Sequence, residues 1–262
     1  MIFTRKANRA IDGELVLKEA RKIVASTVED ATRRSFLTRT LTLGGLAMLS
    51  GCTLDDNENV EKALMAVSRW NDRVQGAIFQ PTAMAPTYAE SMIQRPFPFN
   101  AFYSMDEAPA IDESDYQLEV SGLVADKRAW RLRELRAMEQ TDQITRHVCV
   151  EGWSAIGRWG GVRFSDFLMR VGADTSAKYV GFKCADDYYT SIDMPTALHP
   201  QTIIALTYDG QTLPREYGFP MKLRIPTKLG YKNPKYINAI FVTNTYPGGY
   251  WEDEGYNWFG GS

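Results

Sequence analysis

Short segments rich in β-branched and aromatic residues, separated by turn residues, occupy most of the chain after residue 115. Such runs predict strands, and only two short helices are predicted among them, at Arg131 to Met138 and Ser165 to Val171. Ser165 is the predicted N-cap of the second helix, Gly172 its stop, and Asp209-Gly210 a hairpin turn. The predicted strands cover residues 116–124, 144–150, 178–184, 188–192, 202–208, 223–225 and 236–243. This order predicts an α+β domain with mainly antiparallel or mixed sheets and short helices.

The chain before these strands divides into two further regions. Residues 1–52 are predicted to form an N-terminal extension plus a targeting signal. Residues 53–95 are predicted to be a helical and extended lead-in, with a helix from Val60 to Gln75. One face of that helix carries Ala63, Leu64, Val67, Trp70 and Val74. The functional domain is expected at 96–262, with no second domain of useful size.

Composition excludes several classes of protein. The formal net charge is −2, so global charge does not indicate nucleic-acid binding. The chain has only two histidines, His147 and His199, which argues against a metal site built from several imidazoles. Three cysteines in very different contexts do not form a disulfide framework.

A targeting motif precedes the folded part: the segment from Ala31 to Cys52 resembles a twin-arginine export signal. Arg33-Arg34 precede Ser-Phe-Leu, and a short apolar run follows at 41–49. That run is far shorter than the roughly 20 apolar residues that cross a bilayer. Leu49-Ser50-Gly51-Cys52 resembles a lipobox, so we expect a periplasmic protein with a lipid anchor at Cys52. The twin-arginine route carries folded proteins, which favours a cofactor enzyme.

Cys149 lies in the predicted strand 144–150. Period-two alternation places Thr145, His147 and Cys149 on one face of this strand. From these residues alone, four interpretations stay open for the thiol. They are an inert buried cysteine, a disulfide with Cys184, a cysteine–histidine nucleophile, and a metal site with a single thiolate.

A basic stretch follows downstream. Between Met221 and Tyr250 there is no Asp or Glu. The stretch contains Lys222, Arg224, Lys228, Lys232 and Lys235. This pattern predicts an anion site, with a phosphate-bearing cofactor as the favoured ligand. Membrane headgroups or RNA are alternatives, but no aromatic RNA-binding motif is present.

Three ordered blocks of sequence resemble the molybdopterin-dependent sulfite oxidase superfamily. They begin at "RHVCVEGWS", at "KYVGFKCADD" and at "YDGQTLPREYGFPMKLRIP", and the last continues through "GYKNPKYI". The resemblance covers residues 96–243 and is strongest to the periplasmic protein-methionine-sulfoxide reductase catalytic-subunit group. It implies a sulfite-oxidase-type fold, a molybdenum–molybdopterin cofactor, and an oxidoreductase that transfers an oxygen atom.

The same resemblance implies roles for individual residues. Cys149 matches the thiolate ligand of molybdenum, which a soft metal of this kind accepts well. The positions that match cofactor contacts are Asn100, Tyr103, Ser104, Cys184, Tyr217, Lys222, Asn233, Pro234 and Lys235. Cys184 stands where relatives have a threonine, and Tyr217 where they have a His or Asn. Lys222 replaces an arginine, which keeps the charge but loses the planar fork.

The residues after Cys149 bear on the substrate. A site for the sulfite dianion needs arginines at the metal. Here Glu151, Trp153 and Ser154 follow, and Arg158 is the first arginine. We therefore predict Cys149 and Glu151 as catalytic residues that act on a neutral S-oxide or similar small group, free or protein-bound. In a purely structural interpretation, Trp153 is a core residue and Glu151 pairs with Arg158 or Arg146.

Two alternatives remain, sulfite oxidation and an inactive lipoprotein that serves as a binding module. No haem-attachment motif is present, so electrons are expected to come from a separate protein. The family resemblance suggests a membrane haem or quinone-linked subunit. It also favours a monomeric catalytic subunit, because the domain through which sulfite oxidases dimerise is missing.

Overall fold

Residues 58–262 are the part of the chain that the computed structural model describes. The predicted signal, with Arg33, Arg34 and Cys52, lies outside them. The chain divides into two units, Met1–Ser68 and Arg69–Ser262, and both sheets belong to the second. The strands, in chain order, are β1 (Glu119–Gly122), β2 (Gln140–Val148), β3 (Ser154–Arg163), β4 (Tyr179–Cys184), β5 (Tyr189–Asp193), β6 (Ile203–Tyr208), β7 (Gln211–Thr212), β8 (Lys222–Arg224) and β9 (Ile237–Thr243). The α-helices are α1 (Glu58–Ile78), α2 (Leu132–Arg136), α3 (Phe164–Arg170), α4 (Met194–Ala197) and α5 (Tyr250–Asp253).

Helix α1 confirms the predicted lead-in helix and extends it at both ends. Much of its apolar face is solvent-exposed: Leu64, Val67, Trp70 and Val74 each show more than a third of their surface. A helix that crosses a bilayer needs about 20 apolar residues. None of the helices within residues 58–262 is long and apolar enough for this.

The strands form two sheets, and the α+β class predicted from the sequence is confirmed. One sheet has the order β1-β9-β4-β5, with β1 parallel to β9 and the other pairs antiparallel. The other has the order β2-β3-β6-β7, with β8 also paired to β6, and is antiparallel throughout. The mixed pattern agrees with the predicted mainly antiparallel architecture.

Strand β6 shows how the second sheet is buried on both faces. Ile204 and Leu206 join the main core with helix α3, whereas Ile203 and Ala205 face a second apolar cluster around Trp159. Full burial of an aliphatic side chain of this size contributes about 1.5–3 kcal/mol. The alternation along β6 therefore fixes the sheet firmly between two cores.

Strand β3 was not predicted. Its sequence contains Gly157, Gly160 and Gly161, and glycine weakens a strand by intrinsic propensity. Hydrogen bonding to β2 on one side and to β6 on the other overrides that preference.

The structure contradicts the predicted N-cap of α3 and confirms the predicted turn at Asp209-Gly210. Helix α3 begins at Phe164 with Arg163 in the N-cap position, so the prediction of Ser165 as N-cap is wrong. Tertiary packing decides this boundary, because Phe164 is fully buried in the core. The turn prediction is confirmed, since Asp209 and Gly210 have φ of 50° and 76°, as a type I′ hairpin turn requires.

Candidate functional site

Cys149 is the first residue of the turn that joins β2 to β3. The last paired residues of this hairpin are Val148 and Ser154. The Cys149 N–H donates to the Trp153 carbonyl oxygen at 2.9 Å, and Gly152 has φ of 94°, so the turn is closed by backbone bonding. Thr145, His147 and Cys149 are all buried on one face of β2, as the alternation predicts.

The disulfide interpretation of this thiol is wrong. Cys149 and Cys184 are both free and both buried. Burial, the largest cause, raises the pKa of the Cys149 thiol. In the protein alone the thiol is therefore held in its protonated form at neutral pH, and a metal ion would be needed to stabilise the thiolate.

A cavity of about 180 Å³ opens beside the Cys149 thiol. Segments far apart in sequence build its wall. Seven of the residues predicted for the site line it, namely Asn100, Tyr103, Cys149, Glu151, Asn233, Pro234 and Lys235. The structure therefore brings together the cysteine block, the segment near Asn100 and the end of the basic stretch.

Four predicted contacts are not part of this wall. The exposed Ser104 hydroxyl donates to Glu107 at 2.7 Å. The Tyr217 hydroxyl exchanges two hydrogen bonds, both of 3.0 Å, with the backbone of Phe97. Cys184 belongs to the main core, and the Lys222 ammonium lies 4.9 Å from the centroid of the Trp159 ring. Their roles toward a cofactor remain predictions.

Sequence reasoning missed most of the cavity's aromatic residues. The missed wall residues are Ala101, Phe102, Val150, Asp186, Tyr188, Gly230, Tyr231, Trp251 and Tyr256. Tyr103, which was predicted, donates from its hydroxyl to Asp186 at 2.7 Å. The density of aromatic residues between Tyr246 and Phe259 was the available signal, but it carries no periodicity that would assign it to a site.

The basic stretch divides into two groups, and all five of its cations are buried. Lys232 forms an ion pair with Glu252, and Lys228 lies 4.0 Å from Asp193 and donates to the Phe259 carbonyl at 2.8 Å. Within residues 58–262, Lys222, Arg224 and Lys235 have no carboxylate within 4.0 Å. The prediction of one five-cation anion site is therefore replaced by a three-cation group, of which Lys235 lines the cavity.

His147 lies behind the cavity wall and is fully buried. Burial and then the charges of Lys222, Arg224 and Lys235 place the pKa of His147 well below its usual value, so the imidazole is neutral. Its Nε2 lies 3.5 Å from Asn100 Nδ2, and its Nδ1 has no partner within the described residues. A positive, buried environment of this kind favours a bound anion.

Asn233 joins the cavity wall to β2 through Arg224. Its Oδ1 accepts from the Arg224 guanidinium at 3.1 Å and from the Ile225 N–H at 2.7 Å, and its Nδ2 donates to the Leu229 carbonyl at 3.0 Å. These bonds hold the turn before Pro234 and Lys235 in one conformation.

Glu151 is placed next to the thiol by Trp153. The Trp153 Nε1–H donates to Glu151 Oε2 at 2.9 Å, and the same oxygen lies 3.7 Å from Cys149 Sγ. Arg158, the first arginine after Cys149, is bonded to Asp142 instead, at 2.9 Å. The interpretation that Glu151 pairs with Arg158 or Arg146 is therefore wrong, and a carboxylate stands beside the thiol.

The residues of this cavity fit a molybdenum–pterin group. Within residues 58–262, no three His, Cys, Asp or Glu side chains are grouped closely enough to hold a metal ion. A metal at Cys149 therefore requires further ligands from an organic cofactor, as a dithiolene supplies. The aromatic wall suits a planar heterocycle, and Lys235 with its buried cationic neighbours suits a phosphate.

Comparisons with known proteins agree with this geometry. The family model described as "Oxidoreductase molybdopterin binding domain" matches residues 105–251. A protein of Azospira oryzae, provisionally named protein-methionine-sulfoxide reductase subunit YedZ1, is 66% identical over 259 residues, which cover 98% of this chain and 99% of that protein. The protein-methionine-sulfoxide reductase catalytic subunit MsrP of Ralstonia nicotianae is 28% identical over 212 residues, which cover 68% of this chain and 63% of that protein.

The solved structures include a match of fold. The crystal structure of the sulfane dehydrogenase SoxCD from Paracoccus pantotrophus aligns with a TM-score of 0.50 at 19% identity, over 53% of this chain and 40% of that one. The predicted sulfite-oxidase-type fold is confirmed. The chain thus belongs to the molybdopterin-binding oxidoreductase domain family, in the protein-methionine-sulfoxide reductase group of the sulfite oxidase superfamily, and is a molybdopterin-dependent oxidoreductase.

Proposed function

We propose that this oxidoreductase is a catalytic subunit that reduces S-oxides outside the cytoplasm. The observation that carries the proposal is the Glu151 carboxylate, held 3.7 Å from Cys149 Sγ by Trp153. A carboxylate repels a sulfite dianion but tolerates a neutral sulfoxide. The relatives named as protein-methionine-sulfoxide reductase subunits support the same substrate class.

The chain's residues have distinct tasks in this reaction. Cys149 supplies a thiolate ligand to the metal, and Lys235 and Asn233 hold the phosphate end of the cofactor. When bound, the molybdenum–pterin group would supply the two-electron redox chemistry for removal of the oxygen atom. Glu151 orients the substrate and carries a proton toward the departing oxygen. The reaction balances as R₂SO plus two protons and two electrons, giving R₂S and water.

The electrons come from a separate protein in this proposal. The name "subunit" in the matched relatives supports a partnered enzyme, and a membrane haem protein is the proposed donor.

Export is proposed from the twin arginines Arg33-Arg34, and lipidation from Cys52. Replacing both arginines by lysine should keep the protein in the cytoplasm, whereas Cys52→Ser should release it from the membrane fraction into the soluble periplasm. If both variants fractionate like wild type, the proposed export signal and the proposed lipid anchor are wrong.

Metal analysis and two assays test the activity itself. Exported wild-type protein should contain about one molybdenum per chain, and Cys149→Ala should contain far less. Reduction of methionine sulfoxide with a reduced dye should be rapid in wild type and absent in Cys149→Ala. Protein that contains molybdenum but turns over only sulfite would support a sulfite oxidase, and protein without molybdenum would support a binding module.

A further inference from the structure

The segment 248–260, which we call the strap, forms one side of the cofactor cavity. Trp251 and Tyr256 of the strap line the cavity. The match to the family model ends at Trp251, so most of the strap lies beyond the family's conserved domain model.

The strap is fastened to β5, the strand that follows cavity residue Tyr188. The Ser191 hydroxyl donates to the Gly248 carbonyl at 2.6 Å, and the Thr190 hydroxyl donates to Glu252 Oε1 at 2.9 Å. The Trp258 Nε1–H donates to the Ser191 hydroxyl at 2.9 Å. Two neighbouring residues of β5 thus bond the strap at Gly248, Glu252 and Trp258.

A second set of bonds fastens the strap to the turn at 228–232. The Tyr231 hydroxyl donates to the Asn257 carbonyl at 2.6 Å, and the Leu229 N–H donates to the Gly260 carbonyl at 2.8 Å. Tyr231 also lines the cavity. The strap therefore joins two parts of the wall that are about 40 residues apart in sequence.

The centre of this attachment is a buried ion pair. The side chains of Lys232 and Glu252 are each 1% exposed and are bonded to each other. A β-carbon at Gly249 would lie 2.1 Å from Glu252 Oε2, so a larger residue there would displace this carboxylate. A buried pair is sensitive to loss of either partner, because the remaining charge stays desolvated.

Aromatic stacking joins the strap to the opposite wall. The rings of Tyr250 and Phe102 are parallel, with centroids 5.2 Å apart and an interplanar angle of 9°. Phe102 belongs to the segment with Asn100 and Tyr103, which were predicted to contact the pterin. Together these residues surround the cavity with aromatic faces that match a planar heterocycle.

We propose that the strap completes the cofactor site: Trp251 and Tyr256 pack against the bound pterin, and the Lys232–Glu252 pair holds them there. The inference rests on the proposed function, because that function places the pterin in this cavity. The strap then slows release of the cofactor without taking part in the chemistry. Cofactor retention, measured apart from turnover, is the property it controls.

The test measures release of the cofactor from the holoenzyme. Purified protein is incubated in cofactor-free buffer, and molybdenum per chain and released pterin fluorescence are followed with time. Glu252→Gln should accelerate release by about tenfold or more, because it leaves a buried, unpaired ammonium. Glu254→Gln, the same change at an exposed carboxylate of the strap, is the matched control and should release at the wild-type rate.

Three further variants keep the test independent of folding defects. The double replacement Lys232→Met with Glu252→Leu removes both buried charges and should restore release to within about threefold of wild type. Trp251→Ala should release rapidly, and Trp251→Phe more slowly. Wild-type holoenzyme with unchanged release in both Glu252→Gln and Trp251→Ala would overturn the strap alone. Wild-type protein that never contains a pterin would overturn the proposed function and the strap with it.

Discussion

The guanidinium of Arg224 donates a 2.7 Å hydrogen bond to the carbonyl oxygen of Arg146, three residues before the Cys149 thiol. The same guanidinium bonds Asn233 at 3.1 Å on the cavity wall. One buried side chain thus connects the strand that presents the thiol with the turn that presents Lys235. With the cofactor placed as proposed, the relative position of its metal and phosphate ends would depend on this connection.

Replacing Arg224 by methionine should lower the free energy of unfolding by about 1–3 kcal/mol, because the Arg146 carbonyl and the Thr145 hydroxyl lose a buried donor. Urea unfolding of the cofactor-free protein measures this change. Arg170→Met, at an exposed position on α3 that does not line the cavity, removes the same group. Equal stability of the Arg224→Met variant and wild type would contradict the connecting role.

Replacing Glu151 by glutamine should strengthen inhibition by sulfite and sulfate by about tenfold, because a negative charge near the anion is removed. Glutamine keeps an oxygen that can accept from Trp153, so the turn should be preserved. Steady-state inhibition of dye-driven sulfoxide reduction measures the effect, with Glu151→Asp as the control that keeps the charge. If sulfite inhibits all three proteins equally, Glu151 does not select against anions.

Replacing Lys235 by methionine should change the pH dependence of stability. Burial lowers the pKa of Lys235 to about 8, from an ordinary value of 10.5. A depressed lysine pKa means that the unfolded chain binds more protons between these values, so the contribution of Lys235 to stability rises from about pH 8 to about pH 10.5 and is flat below. The full difference is roughly 3 kcal/mol at most.

The Lys235→Met variant should lack this pH-dependent contribution. Both proteins contain Lys228, so the difference between their stabilities reports Lys235 alone. Cofactor-free Lys235→Met should be the more stable protein at pH 7 by urea unfolding. The holoenzyme should show the opposite order of cofactor retention, because the phosphate loses a cation. If cofactor-free wild type is more stable than cofactor-free Lys235→Met at pH 7, burial of Lys235 does not cost folding free energy.

Replacing Gly230 by alanine should destabilise the protein by about 1–3 kcal/mol, as overpacking does. A β-carbon there would lie 2.7 Å from His147 Nε2 and 3.3 Å from Asn100 Nδ2. Gly76→Ala is the matched control, since the nearest atom to its β-carbon is 3.8 Å away and alanine favours a helix. Thermal unfolding should separate the two variants, and a neutral Gly230→Ala would show that His147 can move aside.

Much of the site was predictable because short motifs specify it locally. Alternation along β2 placed Cys149 on a buried face, and the resemblance of the surrounding blocks identified Asn100, Tyr103, Asn233 and Lys235, which the fold brings to one cavity. The prediction for the basic stretch was only partly correct, because it assigned all five cations to one anion site. Lys228 and Lys232 share its composition with Lys235, but their partners Asp193 and Glu252 lie outside it in sequence.

The sequence by itself determined the α+β class, the strand that carries Cys149 and the family, because periodicity and motifs act over short stretches of chain. Only the tertiary structure decided which cations face the cavity, that β3 is a strand despite its glycines, and that Trp251 and Tyr256 complete the wall. These features depend on hydrogen bonds and buried charges between residues distant in sequence. Their energies arise only after the chain has folded, when water is excluded and each buried group must find its partner.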